Sequence, residues 1–229
     1  MDKKKNATKK NVKEIVIFGL GRLGKCLAEE FSAKGGQVVA IDNDQKRVDE
    51  IADQVAYAIR ADVMDTDTIK GLSIIKSVDA AIIAMGGNFE ATIMAIIMCK
   101  EMGIENVIAK ASNSIQANVL EKIGATRIIF PEEEIGKRIA MSLLFGNIVD
   151  IIPLSDKFSM VEVEVPKKWI GKNLIQLDLR KKHGFNVIAI RENNVLSIEF
   201  DIEKPLHSGM ELVVVGDENR LNSVFKKEK

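Results

Sequence analysis

Gly19-Leu-Gly-Arg-Leu-Gly24 is the stretch whose residue types and spacing point most directly at chemistry. Three glycines in the pattern G-x-G-x-x-G suit a phosphate-binding turn for three separate reasons. Gly19 permits a tight reversal, Gly21 carries no Cβ to obstruct a pyrophosphate, and Gly24 lets a following helix pack close to a sheet. Backbone amides at the start of that helix then face the anion. Asp42 stands eighteen residues past Gly24, at the end of the next apolar run. An acid at roughly that spacing accepts hydrogen bonds from ribose hydroxyls and repels a 2′-phosphate, which disfavours NADP. Arg22 lies inside the loop, where a guanidinium adds to the helix dipole. A fixed cation there suits a diphosphate or triphosphate at least as well as NAD, so the ligand is a mononucleotide or a dinucleotide.

The elements that must position these residues alternate apolar runs with helical patterns from residue 13 onward. Strands are expected over 14–18, 37–41, 56–60, 80–85, 106–110 and 126–130. Helices are expected over 25–33, 45–54, 66–72, 89–102, 115–123 and 132–145, with Asp44 a suitable cap for the second. Runs apolar on both faces imply an α/β fold, a doubly wound parallel sheet covered on both sides. Ligands of such a sheet sit beyond the C-terminal strand ends, near the switch in strand order. That topology gathers Asn43 and Asp44 beside Asp42. It also brings in Ala61 and Asp62 after the third strand, and Met85, Gly86 and Gly87 after the fourth. Lys110 follows the fifth strand and Glu132 the sixth. Glycines near position 86 admit an adenine or ribose closely, and Lys110 offers a second phosphate cation. Glu132 also opens a helix, where acids oppose the dipole whatever else they do.

The pattern changes after Pro131. The helix over 132–145 carries Ile135, Ile139 and Leu143 on one face, and 146–156 reads as irregular around Pro153. Beyond it come a period-two strand over 160–165 and a helix over 173–182. A hairpin of 186–190 and 195–200 turns at Asn193-Asn194, before a strand over 210–215 and a helix over 218–225. The expected organisation is a disordered basic leader over 1–12, a nucleotide-binding domain over 13–131, a crossover helix and linker over 132–156, and a smaller α+β domain over 157–229.

Lys plus Arg and Asp plus Glu both number 33, and a zero formal charge argues against a duplex nucleic-acid binder. Cys26 and Cys99 have no metal or disulfide spacing and are expected to be small core residues. His183 and His207 leave little material for zinc or general-base chemistry and are expected at the surface. No segment approaches the roughly 18 apolar residues of a membrane span.

Taken together, these residues resemble the cytosolic regulatory subunits of potassium transporters, the KtrA/TrkA type, with a Rossmann-like RCK N-domain and a smaller RCK C-domain. The resemblance covers nearly all of 13–229. It is carried by Ile17-Phe-Gly-Leu-Gly-Arg-Leu-Gly24, Val107-Ile-Ala-Lys-Ala111, the run from Val119 to Glu132, and Ile170-Gly-Lys-Asn-Leu174. It implies a nonenzymatic protein that binds ATP or ADP, or NAD in some members, and gates an integral-membrane potassium-translocating subunit. The protein would lie on the cytoplasmic face of the membrane, as N-domain dimers in an octameric ring. By position, Arg22 matches a phosphate-contacting arginine, Asp42 the ribose acid and Lys110 a phosphate-side lysine. Glu132 matches an acid that helps hold a divalent cation, Mg²⁺ or Ca²⁺, between two nucleotides. Gln116 stands where related chains can carry a histidine, and Leu23 where phenylalanine is common. In Gram-positive members the C-domain binds cyclic di-AMP. Arg180 and Asn186 resemble its polar contacts, Leu174 and Ile175 its apolar ones. A competing reading, an NAD-dependent oxidoreductase with a small substrate domain, needs an acid or base facing the nicotinamide, and neither histidine lies in the first half. A transcriptional repressor would need a basic recognition helix, which is not visible.

Overall fold

The computed structural model describes residues 12–144, 148–155 and 157–225. The leader expected over 1–12 therefore falls, apart from Val12, outside the described residues. The chain divides into two compact units, one ending at Pro131 and the other beginning at Glu132.

The first unit runs β1 (Glu14–Phe18), α1 (Arg22–Ala33), β2 (Gln37–Asp42), α2 (Gln45–Asp49), β3 (Tyr57–Arg60), α3 (Thr66–Gly71), β4 (Ala80–Ile83), α4 (Phe89–Glu101), β5 (Asn106–Lys110), α5 (Ser114–Lys122) and β6 (Arg127–Ile129). Its six strands pair in parallel in the order β3-β2-β1-β4-β5-β6. Alternate strand residues point to opposite faces, and here both sets are apolar. Ile15, Ile17, Val38, Ala40 and Ile82 pack with Ala28 of α1 and Val48 of α2. Val16, Phe18, Val39, Ile41, Ile83 and Val107 pack with Ile69 of α3, Ala95 and Ile96 of α4 and Leu120 of α5. Each fully buried Val, Leu or Ile stabilises the unit by about 1.5–3 kcal/mol, so apolar burial is the main term that holds both helical layers on the sheet. The central pair, β1 and β4, sends its connections to opposite sides, which opens a crevice at their C-terminal ends.

The helix expected over 45–54 ends at Asp49. Ile51 is fully buried, and Ala52–Gln54 continues as one 3₁₀ turn. Cys26, expected in the core, is exposed. The buried face of α1 carries Gly24 and Ala28, and a residue two positions from Gly24 lies on the far side of a helix. Cys99 is buried, and burial pushes its thiol up to about 12.

The second unit opens with α6 (Pro131–Leu144), whose first residue closes the first unit. It continues through β7 (Ile148–Pro153), β8 (Phe158–Glu164), α7 (Leu174–Leu177), α8 (Leu179–His183), β9 (Phe185–Glu192), β10 (Val195–Ser197), β11 (Glu211–Asp217) and α9 (Glu218–Phe225). Five antiparallel strands pair in the order β10-β9-β11-β8-β7. The segment over 146–156, expected to be irregular, therefore supplies an edge strand. Pro153 is tolerated there because it ends the strand at a sheet edge, where a missing amide donor costs little. The helix expected over 173–182 is broken by Asp178, which adopts a left-handed φ of +45°. Asn193 and Asn194, with φ of +52° and +62°, make the hairpin turn, a conformation asparagine accepts more readily than most residues. The second arm of the hairpin stops at Ser197, short of the expected Phe200. His183, expected at the surface, is half-buried and stacks on Phe185 with ring centroids 5.8 Å apart, beside Trp169. Among the described residues no helix is long and apolar enough to cross a membrane.

Candidate functional site

The three loop glycines do different things. Gly19 has φ of +92°, and a side chain there would meet Met85 Cγ at 2.7 Å and Met85 N at 3.1 Å. The β1–α1 turn is thus pressed against the chain leaving β4. A Cβ on Gly24 would fall 1.8 Å from the Gly19 carbonyl oxygen, so only glycine fits. Gly21 is extended, with φ of −65°, and a Cβ there would meet nothing within 4 Å. Gly19 and Gly24 shape the loop; Gly21 leaves open space in front of it.

That space faces the start of α1. No side chain caps α1, and its first turn holds no acid. The side chains of Asp44, Asp65, Asn88 and Asn113 cap α2, α3, α4 and α5 respectively. The leading amides of α1 and the positive end of its dipole are therefore offered to an external acceptor.

Asp42 is 6% exposed and ties the loop to the sheet. Its Oδ2 accepts from Leu20 N at 2.6 Å and its Oδ1 from Asp44 N at 2.9 Å. Arg47 Nη1 adds a longer contact, 3.4 Å, to Oδ2. A carboxylate has about four acceptor positions, so three donors leave room for a ribose hydroxyl, and displacing Arg47 would make room for the second.

A cleft of about 280 Å³ opens over these groups. Of the residues expected from sequence, Gly19, Gly21, Asp42, Asn43, Ala61, Asp62, Met85, Gly86 and Gly87 line it. Ala61 N donates to the Asp42 carbonyl at 3.0 Å, which aligns the β3 end with the β2 end. Lys110 reaches toward the cleft from β5, since a Cβ on Gly86 would lie 3.4 Å from its Nζ. Arg22, Leu23, Gly24 and Asp44 belong to the same loops but do not line the cleft. Arg22 is exposed at the first position of α1, and Asp44 is occupied in capping α2. Gln116 is turned back on its own helix start, its Oε1 accepting from Ser112 N at 3.0 Å. Glu132 is exposed in the first turn of α6 and belongs to the second unit. Arg47, Asn88, Val63 and Met64 also line the cleft and were not expected. A signal for Arg47 existed in the sequence: it stands three residues past the capping Asp44, the spacing of helix neighbours.

In the second unit, Leu174 and Ile175 start α7, Arg180 lies on α8 and Asn186 near the start of β9. Ile175, Arg180 and Asn186 are exposed and Leu174 is half-buried. Leu174 N donates to the Ile202 carbonyl at 3.1 Å, and Asn173 and Gln176 form a reciprocal cap. Elsewhere in this unit, Glu192 accepts from Lys204 Nζ at 2.9 Å and meets His207 Nε2 at 2.8 Å. The Ser208 carbonyl at His207 Nδ1 and the Glu192 carboxylate raise the His207 pKa, and Lys204 and His207 lower that of Glu192. Among the described residues no group of three or more His, Cys, Asp or Glu side chains is placed to hold a metal ion.

A parallel sheet in this order, with a glycine loop and a buried acid at its switch point, defines a Rossmann-type domain. The TrkA-N domain model matches residues 15–131 and the TrkA-C domain model matches 159–229. The chain belongs to the TrkA-N/TrkA-C family that includes the Ktr system potassium uptake proteins. It is 32% identical over 215 residues to Ktr system potassium uptake protein C of Bacillus subtilis, covering 94% of this chain and 97% of that protein. It is 34% identical to Ktr system potassium uptake protein A of Vibrio alginolyticus, covering 93% and 97%. The solved GsuK channel bound to NAD shares the fold, with a TM-score of 0.63 at 15% identity, over 96% of this chain and 41% of that one.

Proposed function

We propose that this protein is a nonenzymatic regulatory subunit that binds an adenine nucleotide and gates an integral-membrane potassium-translocating partner. The observation that carries the nucleotide is the pairing of an uncapped α1 with the open space at Gly21, one side of a cleft whose other end holds Asp42. The family and its potassium uptake relatives support the regulatory role. In this reading the α1 amides hold phosphate, Asp42 takes the ribose, and Gly86 and Gly87 allow the ligand to approach the β4 end closely. ATP, ADP and NAD share the groups recognised, and Arg22 and Lys110 supply phosphate cations.

The finer assignments rest on position in the family. The protein works as a homo-oligomer of N-domain dimers, in an octameric ring on the inner face of the membrane. The functional domains span 13–131 and 157–229, joined by 132–156. Where two triphosphates approach across a two-fold axis their charges repel, and a hard divalent cation held with Glu132 offsets that repulsion. ADP lacks the γ-phosphate, so the two nucleotides favour different dimer shapes, and that difference moves the gating equilibrium. Leu174, Ile175, Arg180 and Asn186 bind cyclic di-AMP across a C-domain two-fold axis.

The test has two parts. Mass spectrometry of the purified protein under native conditions should find an adenine nucleotide that copurifies with it. Rubidium flux into liposomes holding a Ktr membrane subunit should depend on this protein and differ between ATP and ADP. Flux that ignores both the protein and the nucleotide overturns the proposal.

A further inference from the structure

Among the described residues that line the cleft Arg47 is the one cation, with Lys110 approaching from behind Gly86, and Arg47 stands at the wrong end for a phosphate. Its Nη1 is 3.4 Å from Asp42 Oδ2, the ribose end, whereas phosphate belongs at Gly21 and α1. We propose that Arg47 is the base-recognition residue of the cleft and that its guanidinium lies flat on the purine of a bound adenine nucleotide. This rests on the nucleotide reading above.

The exchange follows from the strengths of the contacts at Asp42. Oδ2 holds Leu20 N at 2.6 Å and Arg47 at 3.4 Å, so an incoming ribose hydroxyl displaces the weaker donor. Arg47 is not then lost from the cleft, because its Nε stays within 3.6 Å of Asp44 Oδ2. Its side chain is half exposed, which leaves a guanidinium face free. Val63 and the half-exposed Met64 also line the cleft, from the loop after β3, the strand paired with the Asp42-bearing β2, and add apolar and thioether surface. A planar cation, a thioether and an aliphatic side chain together suit a flat heteroaromatic ring. Phosphate number is not sensed at this end, so Arg47 sets the affinity for the nucleoside and leaves the ATP-to-ADP ratio to other groups.

Calorimetric titration of the full chain with ATP, ADP and AMP tests this, using the parent, Arg47→Gln and Arg47→Lys. Both variants should bind all three ligands about five- to tenfold more weakly, by the same factor for each, as expected for a lost planar cation–ring contact. The ligand-free variants should still unfold in one cooperative transition, lowered by no more than the loss of the long contact from Arg47 to Asp42. A loss that grows from AMP to ATP makes Arg47 a phosphate cation and overturns the proposal. So does full rescue by lysine, which keeps charge without the plane, and so does unchanged or tighter binding. A parent that binds none of the three fails the nucleotide reading itself, a result distinct from any of these.

Discussion

Replacing Gly21 by valine should weaken nucleotide binding at least about tenfold while sparing the fold, and the structure says why the two effects separate. At Gly21 the backbone is extended, a conformation any residue adopts, and the Cβ position touches nothing within 4 Å. Valine therefore meets no steric objection in the ligand-free protein. The loss of an unstrained glycine at a helix start costs about 1 kcal/mol or less. The branched side chain then stands in the space before the α1 amides. A phosphate held off by it forfeits at least one hydrogen bond to a charged group, about 1.5–3 kcal/mol. That is roughly a 10- to 100-fold loss of affinity at 1.4 kcal/mol per decade. Calorimetry with ATP, ADP and NAD measures the loss, and thermal unfolding of the ligand-free protein measures the cost to the fold. Gly24→Ala is the contrasting variant. Its Cβ would sit 1.8 Å from the Gly19 oxygen, so it should lower the unfolding temperature by several degrees before any ligand is added. A folded Gly21→Val protein that binds all three nucleotides as the parent does would refute the assignment of phosphate to this loop.

Three further outcomes are expected. Glu132→Gln should keep the fold and nucleotide binding but remove the effect of Mg²⁺ or Ca²⁺ on ATP affinity; full divalent dependence in the variant would leave Glu132 a helix-dipole residue. Cyclic di-AMP at about a hundred times its Kd should stabilise its binding unit by about 2.7 kcal/mol in scanning fluorimetry, and Arg180→Ala should remove most of that shift; no shift in the parent would leave the C-domain without this ligand. The His207–Glu192 contact should stabilise the protein over a defined pH window. His207 is raised above its ordinary 6.5, so its contribution is full below that value and is lost as pH rises through the folded pKa. Glu192 is lowered below its ordinary 4.5, so its contribution is full above that value and is lost as pH falls through the folded pKa. The unfolding temperatures of the parent and His207→Gln should therefore differ most between those two values and converge in mild alkali, a convergence whose absence would sink the idea.

Much of this molecule was legible in the residue order because its signals are local. The glycine spacing, the acid at the end of the next strand and runs apolar on both faces each depend on neighbours in sequence, and together they specify a parallel sheet with a crevice. Asn193-Asn194 marked its hairpin for the same reason, since left-handed backbone is a property of the residue itself. What the sequence did not reveal was decided by contacts between distant segments. Residues 148–153 become a strand only because β8 offers them an edge, and no period in their own sequence announces it. Asp178 breaks a helical pattern that looks continuous, letting Leu177 and Leu179 both reach the core. Cys26 carries the same apolar label as Cys99, yet only packing decides that one faces water and the other the sheet. Arg47 reaches Asp42 through a local contact five residues long, but that both share a cleft with the β3 and β4 ends is set by the pairing of the strands. Residue types and spacing determined the fold class and the phosphate loop, because both rest on backbone geometry. Which side chains share a cavity was left to the tertiary structure, because proximity in space is set by the packing of whole layers.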